Sequence, residues 1–207
     1  MEEVAAGSFA AWARDAQEVL RTGGTSDVPC DGCTACCRSS QFVHIAPDET
    51  DTLAHVPKAL LFPAPGLPAG HVLLGYDERG HCPMLVDDRC SIYEHRPRAC
   101  RTYDCRVFAA TGTQLTDTPL VAERLTHWQF DVDTDADRAH SDAVRAAHAF
   151  VFSDERDPSR RAVLAIAIHD LFVDGETDAD IVRAEIERRA ATPSSGRRTG
   201  RSNRGRG

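Results

Sequence analysis

The chain has 207 residues, of which 42% are hydrophobic and 27% are charged, so it can build one hydrophobic core under a charged surface. Residues 192–207 contain five arginines and no acid, which leaves 19 basic against 32 acidic side chains, a net charge of −13, in the rest of the chain. An acidic body argues against a broad nucleic-acid surface, because phosphate binding needs clustered lysine and arginine.

The first half of the chain is predicted to alternate short regular elements with irregular segments. Helical spacing of apolar residues predicts an N-terminal helix over residues 2–22, which Gly23 and Gly24 end. Prolines and glycines predict an irregular connection over residues 57–70. Alternating residues and turn sequences predict strands over 41–46 and 71–76, and a capping residue predicts a helix over 48–56.

After residue 118 cysteines are absent and helical periodicity returns, which predicts helices over 119–128, 136–152, 158–173 and 178–191. The longest apolar run, residues 162–168, is too short to cross a membrane and indicates a buried helix face. The first residues lack the basic and apolar regions of a signal peptide. We therefore expect a cytoplasmic protein with no membrane partner.

All eight cysteines fall into two groups of four. In a reducing cytoplasm such groups indicate metal ligation or redox chemistry more than disulfides, which remain the alternative. Two-residue gaps let a tight turn aim two sulfurs at one point, in four-thiolate zinc sites and iron–sulfur clusters alike. The candidate metal ligands are Cys30, Cys33, Cys36 and Cys37 in the first group and Cys82, Cys90, Cys100 and Cys105 in the second.

The spacing leaves the metal and the number of sites open. Eight thiols suffice for two four-thiolate sites, for one iron–sulfur cluster and one zinc, or for one site with spare thiols. If the chain is extended at Cys36 and Cys37, their side chains point to opposite sides, and one could serve each of two sites. His81 or His95 could replace a thiolate, although eight cysteines already complete two sites.

Arginine is the immediate neighbour of four cysteines. A four-thiolate zinc site and an oxidised four-iron cluster each carry a formal charge of about −2, and the ligating thiols must lose their protons. Nearby guanidinium groups lower thiol pKa values and offset this charge. The arginines next to cysteines are Arg38, Arg89, Arg101 and Arg106, and Arg96 and Arg98 lie close by.

The cysteine segments resemble the CxxCxxCC cysteine-cluster family, whose members are described as zinc- or iron-chelating domains. The resemblance covers roughly residues 28–108 and includes all eight cysteines. It implies that these cysteines ligate an iron–sulfur cluster or zinc. The matching residues are Cys30-x2-Cys33-x2-Cys36-Cys37-Arg38, Gly80-x-Cys82-Pro83-x-Leu85 and Cys90-x-Ile92-Tyr93-Glu94-x-Arg96-Pro97-x2-Cys100-Arg101-x-Tyr103-x-Cys105.

The same resemblance leaves the reaction open, because the grouping includes iron–sulfur oxidoreductases and the flagellin lysine N-methylase. One hypothesis is a metal-binding module for structure, sensing or metal handling, with an iron–sulfur cluster favoured over zinc. Another is an enzyme, either a cluster-dependent oxidoreductase or a protein lysine methylase, although no glycine-rich nucleotide-binding loop supports methylation. A third is a zinc-stabilised module that binds an unknown protein partner.

We expect an α+β fold, with an irregular cysteine-rich metal-binding core and a few short strands wrapped by N-terminal and C-terminal helices. The expected segments are an N-terminal helix (1–27), a cysteine-cluster domain (28–110), a helical region packing on it (111–191) and a disordered Arg/Gly/Ser tail (192–207). This tail could contact nucleic acid or an acidic partner, but a solvated tail is the simpler expectation.

Overall fold

The computed structural model of the protein describes residues 3–26, 28, 32–151, 155–175 and 178–191. None of the helices in these ranges has the length and apolar character that crossing a membrane requires. The α-helices are α1 (Phe9–Thr22), α2 (Thr50–His55), α3 (Arg98–Thr102), α4 (Arg106–Thr111), α5 (Pro119–Leu125), α6 (Asp135–Val151), α7 (Pro158–Ile168) and α8 (Ala179–Ala191).

The β-strands are short and are β1 (Val4–Ser8), β2 (Val43–Ile45), β3 (Leu61–Pro63), β4 (Val72–Leu74), β5 (Leu85–Val86), β6 (Arg89–Cys90) and β7 (Trp128–Asp131). Strand β1 pairs with β7 in parallel, β2-β4-β3 form an antiparallel sheet, and β5 and β6 form a hairpin. These small sheets among helices confirm the predicted α+β fold. The predicted strands over 41–46 and 71–76 correspond to β2 and β4.

The N-terminal segment differs from the predicted single helix over residues 2–22. Its first part, Val4–Ser8, forms strand β1, and helix α1 begins only at Phe9. In the parallel pair, Val4 lies opposite Trp128. Helical spacing within the segment could not reveal this strand, because its pairing partner lies in the second half of the chain.

The main hydrophobic core joins the N-terminal helix, the end of the cysteine region and the C-terminal helices. Helix α1 packs against α6 and α7, and α4 packs against α7. The Trp12 indole N–H donates to the buried Asp104 carboxylate at 3.0 Å, which ties α1 to the segment that precedes Cys105. Large buried members of this core are Phe9, Trp12, Val107, Phe108, Val121, Trp128, Val144 and Ile166.

Two smaller cores complete the described part of the chain. Helices α6 and α7 bury apolar residues against α8 and a 3₁₀ helix, His169–Phe172, which replaces the last turn of the predicted helix over 158–173. The antiparallel sheet buries Ile45 and Leu74 and contacts Cys82 and Cys90, so the cysteine hairpin packs on this sheet.

The division of the chain into four segments stays a prediction. Its last segment, residues 192–207, lies outside the described residues. The main core takes side chains from both sides of the proposed boundary at residue 110.

One buried carboxylate fixes the junction between β1 and α1 to the start of α6. The Asp137 carboxylate accepts hydrogen bonds from the Ser8 hydroxyl at 2.6 Å, the Ala10 N–H at 3.0 Å and the Thr134 hydroxyl at 2.6 Å. These hydrogen bonds, that from Ser8 first, hold the pKa of Asp137 well below its usual range. The residue is 3% exposed, so the bonds are shielded from water.

We expect Asp137→Asn to lower the thermal melting temperature at pH 7 by several degrees, because the neutral amide loses the charge-assisted bonds to both helices. A carboxylate with a depressed folded-state pKa stabilises the fold above its unfolded pKa of about 3.9, and this stability is lost as pH falls below that value. The difference between wild type and Asp137→Asn should therefore shrink at acidic pH. Melting curves from pH 7 to pH 3 measure it.

The matched control is Asp135→Asn, whose side chain is fully exposed and pairs only with Arg138 at the surface. Its melting temperature should stay within about 1 °C of wild type. Equal melting temperatures for Asp137→Asn and Asp135→Asn at pH 7 would contradict the assigned role of Asp137.

Candidate metal centre

The first cysteine group is held by a short 3₁₀ turn, Cys36–Arg38, that docks on the second group. The Cys37 carbonyl accepts a hydrogen bond from the Cys82 N–H at 2.7 Å, and the Gly80 carbonyl accepts one from the Ser40 N–H at 2.9 Å. Gly80 has a φ of +79° and lies so close to Ser40 that a Cβ atom would collide with the hydroxyl. The main chain therefore brings the two cysteine groups together.

The second group begins with the hairpin of β5 and β6. Asp87 and Asp88 form its turn with φ values of +48° and +59°, which aspartate tolerates better than most residues. The register places Cys90 opposite Leu85. Backbone N–H groups of the turn that follows Cys82 donate to its sulfur, a contact that stabilises negative charge on a thiolate.

Cys100 lies on helix α3, which a buried carboxylate fixes to the sheet. The Glu49 carboxylate accepts hydrogen bonds from the Ala46 N–H and from the N–H of Arg98, the first residue of α3. The Arg98 guanidinium also pairs with Asp48 at 2.8 Å. These contacts position α3 over the loop that follows β2.

Four thiols from both cysteine groups converge, and we call Cys37, Cys82, Cys90 and Cys100 the four-thiol group. Desolvation, followed by the nearby thiols of Cys82 and Cys90, raises the pKa of Cys37 to about 11. Cys100 is an exposed residue, but its thiol itself is desolvated. Desolvation and the other three thiols raise the pKa of Cys100 to about 12. The contributions that the other thiols make to these shifts, after desolvation, reflect sulfurs that lie within electrostatic reach of one another.

Cys105 and Cys33 interact beside the four-thiol group. Cys105 is buried, and the Trp128 indole N–H donates to its sulfur at 3.2 Å. Desolvation raises the pKa of Cys105 and Cys33 raises it further, whereas the Trp128 hydrogen bond and the Arg124 guanidinium lower it. Cys33 also raises the pKa of Cys37, so the two sets of thiols adjoin.

The adjacent cysteines lie on the 3₁₀ turn and not on the extended segment considered in the sequence analysis. Their environments nevertheless differ, because Cys36 is exposed and Cys37 is half-buried. None of the seven described cysteines forms a disulfide. Cys30 lies outside the described residues. Metal ligation by the eight cysteines stays a prediction.

Three of the arginines near the cysteines differ in the groups on which their charges act. Arg38 and Arg96 act on the four-thiol group, since their charges oppose the raised pKa values of Cys37 and Cys100 respectively. Arg106 instead forms a buried ion pair at 2.8 Å with the aspartate that binds the N-terminal helix. The charges of Arg38 and Arg96 thus act in the direction that the sequence predicts, although desolvation outweighs them.

Sequence reasoning missed one cluster of ligand-type side chains. Asp51, His55 and His95 bring one ligand atom each to within 4.8 Å of the others. Among the described residues, no three cysteine sulfurs meet this spacing. Only His95 was a sequence-predicted alternative ligand. The separation of Asp51 and His55 by four residues on a predicted helix, which places them on one face, is the signal that the sequence offers.

Comparison with known proteins agrees with the cysteine pattern. Residues 29–121 match the family model CxxCxxCC, described as "Putative zinc- or iron-chelating domain". No curated protein and no solved structure matches the chain significantly. The matched segment contains all the elements that carry the four-thiol group.

In the reduced, metal-free protein, we expect the thiols of Cys37 and Cys100 to stay protonated at pH 9. With pKa values of about 11 and about 12, only about 1% or less of each would be thiolate there, against a majority for an ordinary thiol of pKa about 8.5. Because the pKa values of these two thiols are higher in the folded than in the unfolded protein, their contribution to the free energy of unfolding is fully present below the unfolded thiol pKa. It is lost as pH rises through the folded values.

Thiolate ultraviolet absorption and urea unfolding between pH 8 and pH 11 measure both effects. The fall in stability with pH should be smaller in the variant that carries Cys37→Ser and Cys100→Ser. Titration of all thiols near pH 8.5 would show that the four-thiol group is not assembled without metal.

Proposed function

Because residues 29–121 are a domain of the CxxCxxCC family, we propose that the four-thiol group holds a metal centre, an iron–sulfur cluster rather than zinc. The observation that carries this proposal is the convergence of desolvated thiols from two distant chain segments without a disulfide between them. Thiolate is the ligand that iron–sulfur clusters and structural zinc sites share. Ligation would convert these neutral thiols to thiolates, and the bound cation would compensate the buried negative charge that this creates.

The sulfurs are spaced more widely than a single bound zinc ion would hold them, which is compatible with a cluster. A tetrahedral zinc ion with Zn–S bonds of about 2.3 Å draws its four sulfurs to about 3.8 Å from one another. Among the described residues, no three cysteine sulfurs lie within 4.8 Å of one another. A cluster of several iron atoms between the sulfurs needs a wider spacing.

The remaining predicted ligands form the proposed second set, which consists of Cys30, Cys33, Cys36 and Cys105. Its support is the interaction of Cys33 with Cys105, which has no such interaction with the thiols of the four-thiol group. In this proposal the Cys36–Arg38 turn supplies one cysteine to each centre. The two centres would then be adjacent, since Cys33 also acts on Cys37.

The surrounding chain supplies what a thiolate centre needs. Arg38 and Arg96 offset the negative charge of the ligands, and backbone N–H groups donate to the Cys82 sulfur. A bound cluster would supply an electron-accepting group, whereas these residues tune its charge and its access to water. Ligating thiols must remain reduced, which is why we propose a cytoplasmic location.

The proposed activity is metal binding. The bound metal could serve catalysis in an oxidoreductase, or it could serve structure in a partner-binding protein. Reversible reduction of the loaded protein coupled to turnover would favour an oxidoreductase. Unfolding of the protein on metal removal, with no redox change, would favour a structural centre that presents the helical half to a protein partner.

We expect anaerobically purified protein to be coloured and to contain iron and inorganic sulfide. Cys82→Ser and Cys100→Ser should each lower the iron bound to the four-thiol group by about tenfold or more, since a neutral hydroxyl is a poor replacement for thiolate. Metal and sulfide analysis with visible absorption spectra measures both results.

Cys105→Ser is the matched control, because it removes a buried cysteine of the second set. It should retain the iron of the four-thiol group. Equal loss of iron in Cys105→Ser and Cys100→Ser would contradict the division into two sets. Colourless protein with stoichiometric zinc would overturn the cluster, and well-folded protein with neither metal would overturn the centre itself.

A further inference from the structure

A cluster of two histidines and an aspartate lies on the surface, outside the cysteine ligand sets. Asp51 and His55 lie one turn apart on helix α2, and His95 ends the 3₁₀ turn Tyr93–His95. One ligand atom of each lies within 4.8 Å of the other two. Within the ranges that the structure describes, no other group of three such side chains converges in this way.

The contacts within the cluster are close. The His95 Nδ1 atom lies 2.8 Å from the Asp51 Oδ2 atom, and the His55 Nδ1 atom lies 3.7 Å from the Asp51 Oδ1 atom. The two imidazole rings stack with centroids 3.5 Å apart and an angle of 3° between their planes. A carboxylate and two imidazoles from separate chain segments are thus already gathered at one point.

All three side chains are accessible from solvent. Their exposed fractions are 64% for Asp51, 41% for His55 and 39% for His95. The two rings lie in parallel planes, and the His55 Nδ1 atom also lies 2.8 Å from the Asp51 carbonyl oxygen. Rotation of the exposed His55 ring away from that carbonyl would free a nitrogen for a shared ion. Partial exposure leaves room for this rotation and for water molecules that complete the coordination.

We propose that Asp51, His55 and His95 form a second, exchangeable binding site for a divalent transition-metal ion of the Zn²⁺ class. Imidazole nitrogen and carboxylate oxygen are the ligands that Zn²⁺ takes at about 2.0–2.2 Å, and three protein ligands leave a position for water. The ion would take the place of the proton shared by His95 Nδ1 and Asp51 Oδ2 and would bind a nitrogen of each of the two imidazole rings. Because its ligands are exposed, metal bound at this site would exchange with solvent more readily than metal bound by the desolvated thiols.

The ligand chemistry separates this site from the cysteine centre. It contains no sulfur, so it favours borderline ions such as Zn²⁺ over the soft ions and clusters that thiolates select. Two of its residues lie on α2, and His95 lies on the 3₁₀ turn that follows the cysteine hairpin in the sequence. The proposal does not depend on the identity of the cysteine-bound metal.

The test uses the full chain, purified without oxygen and with its cysteine-bound metal in place. Titration with Co²⁺ and then Zn²⁺ should show one further equivalent bound, and Zn²⁺ should shift the ring-nitrogen NMR signals of His55 and His95. Co²⁺ at this site should lack the intense sulfur-to-metal charge-transfer absorption of a thiolate complex. Asp51→Asn and His55→Gln should each weaken Zn²⁺ binding by about tenfold or more.

The matched control is His44→Gln. The ring of His44 stacks on that of His71, with an Nε2–Nδ1 distance of 2.9 Å, so this variant disrupts a histidine pair that is not part of a three-ligand group. It should bind the extra Zn²⁺ with wild-type affinity. Circular dichroism confirms that each variant is folded.

Three outcomes overturn the site. They are no Zn²⁺ bound beyond the cysteine metal, equal weakening by His44→Gln and Asp51→Asn, or sulfur charge-transfer absorption from the added Co²⁺. A folded Cys100→Ser protein should lose the cysteine metal and still bind the extra Zn²⁺, because the two sites share no ligand. Retention of the cysteine metal in Cys100→Ser would count against the cysteine centre and leave this site standing.

Discussion

The hydrogen bond from the Cys82 N–H to the Cys37 carbonyl is the contact on which the rest of the cysteine region depends. It fixes the main chain of the first cysteine group to the start of the second. A second hydrogen bond, between Ser40 and Gly80, lies next to it, so two backbone bonds join the segments. Residue 80 must be glycine, because a Cβ atom there would collide with the Ser40 hydroxyl. Once the main chains are attached, Cys37 is held close to Cys82 in space.

The attachment gathers thiols away from water, and nearby positive charges and N–H groups partly offset the resulting rise in their pKa values. Gathering thiols away from water favours their neutral form, whereas metal ligation requires the thiolate. Arg38 and Arg96 act in the opposite direction, and so do the N–H groups that face the Cys82 sulfur. Binding of a metal cation by these thiols would therefore be accompanied by proton release.

The sequence predicted what depends on local pattern and missed what depends on distant partners. Helical periodicity located α6, α7 and α8, and alternation located β2 and β4, because their signals lie within one window of the chain. Strand β1 was missed, since its partner follows more than a hundred residues later. The sequence indicated that Cys36 or Cys37 could belong to a second site but not which one, and it gave no sign that His95 meets α2, because both depend on tertiary packing.

The parallel pairing of β1 with β7 has a consequence for the order of assembly. During synthesis β1 emerges from the ribosome before β7, so it has no strand partner until the residues from Trp128 onward emerge. Every cysteine has already emerged by then. The hydrogen bond from the Trp128 indole to the Cys105 sulfur therefore forms only after all eight cysteines have emerged.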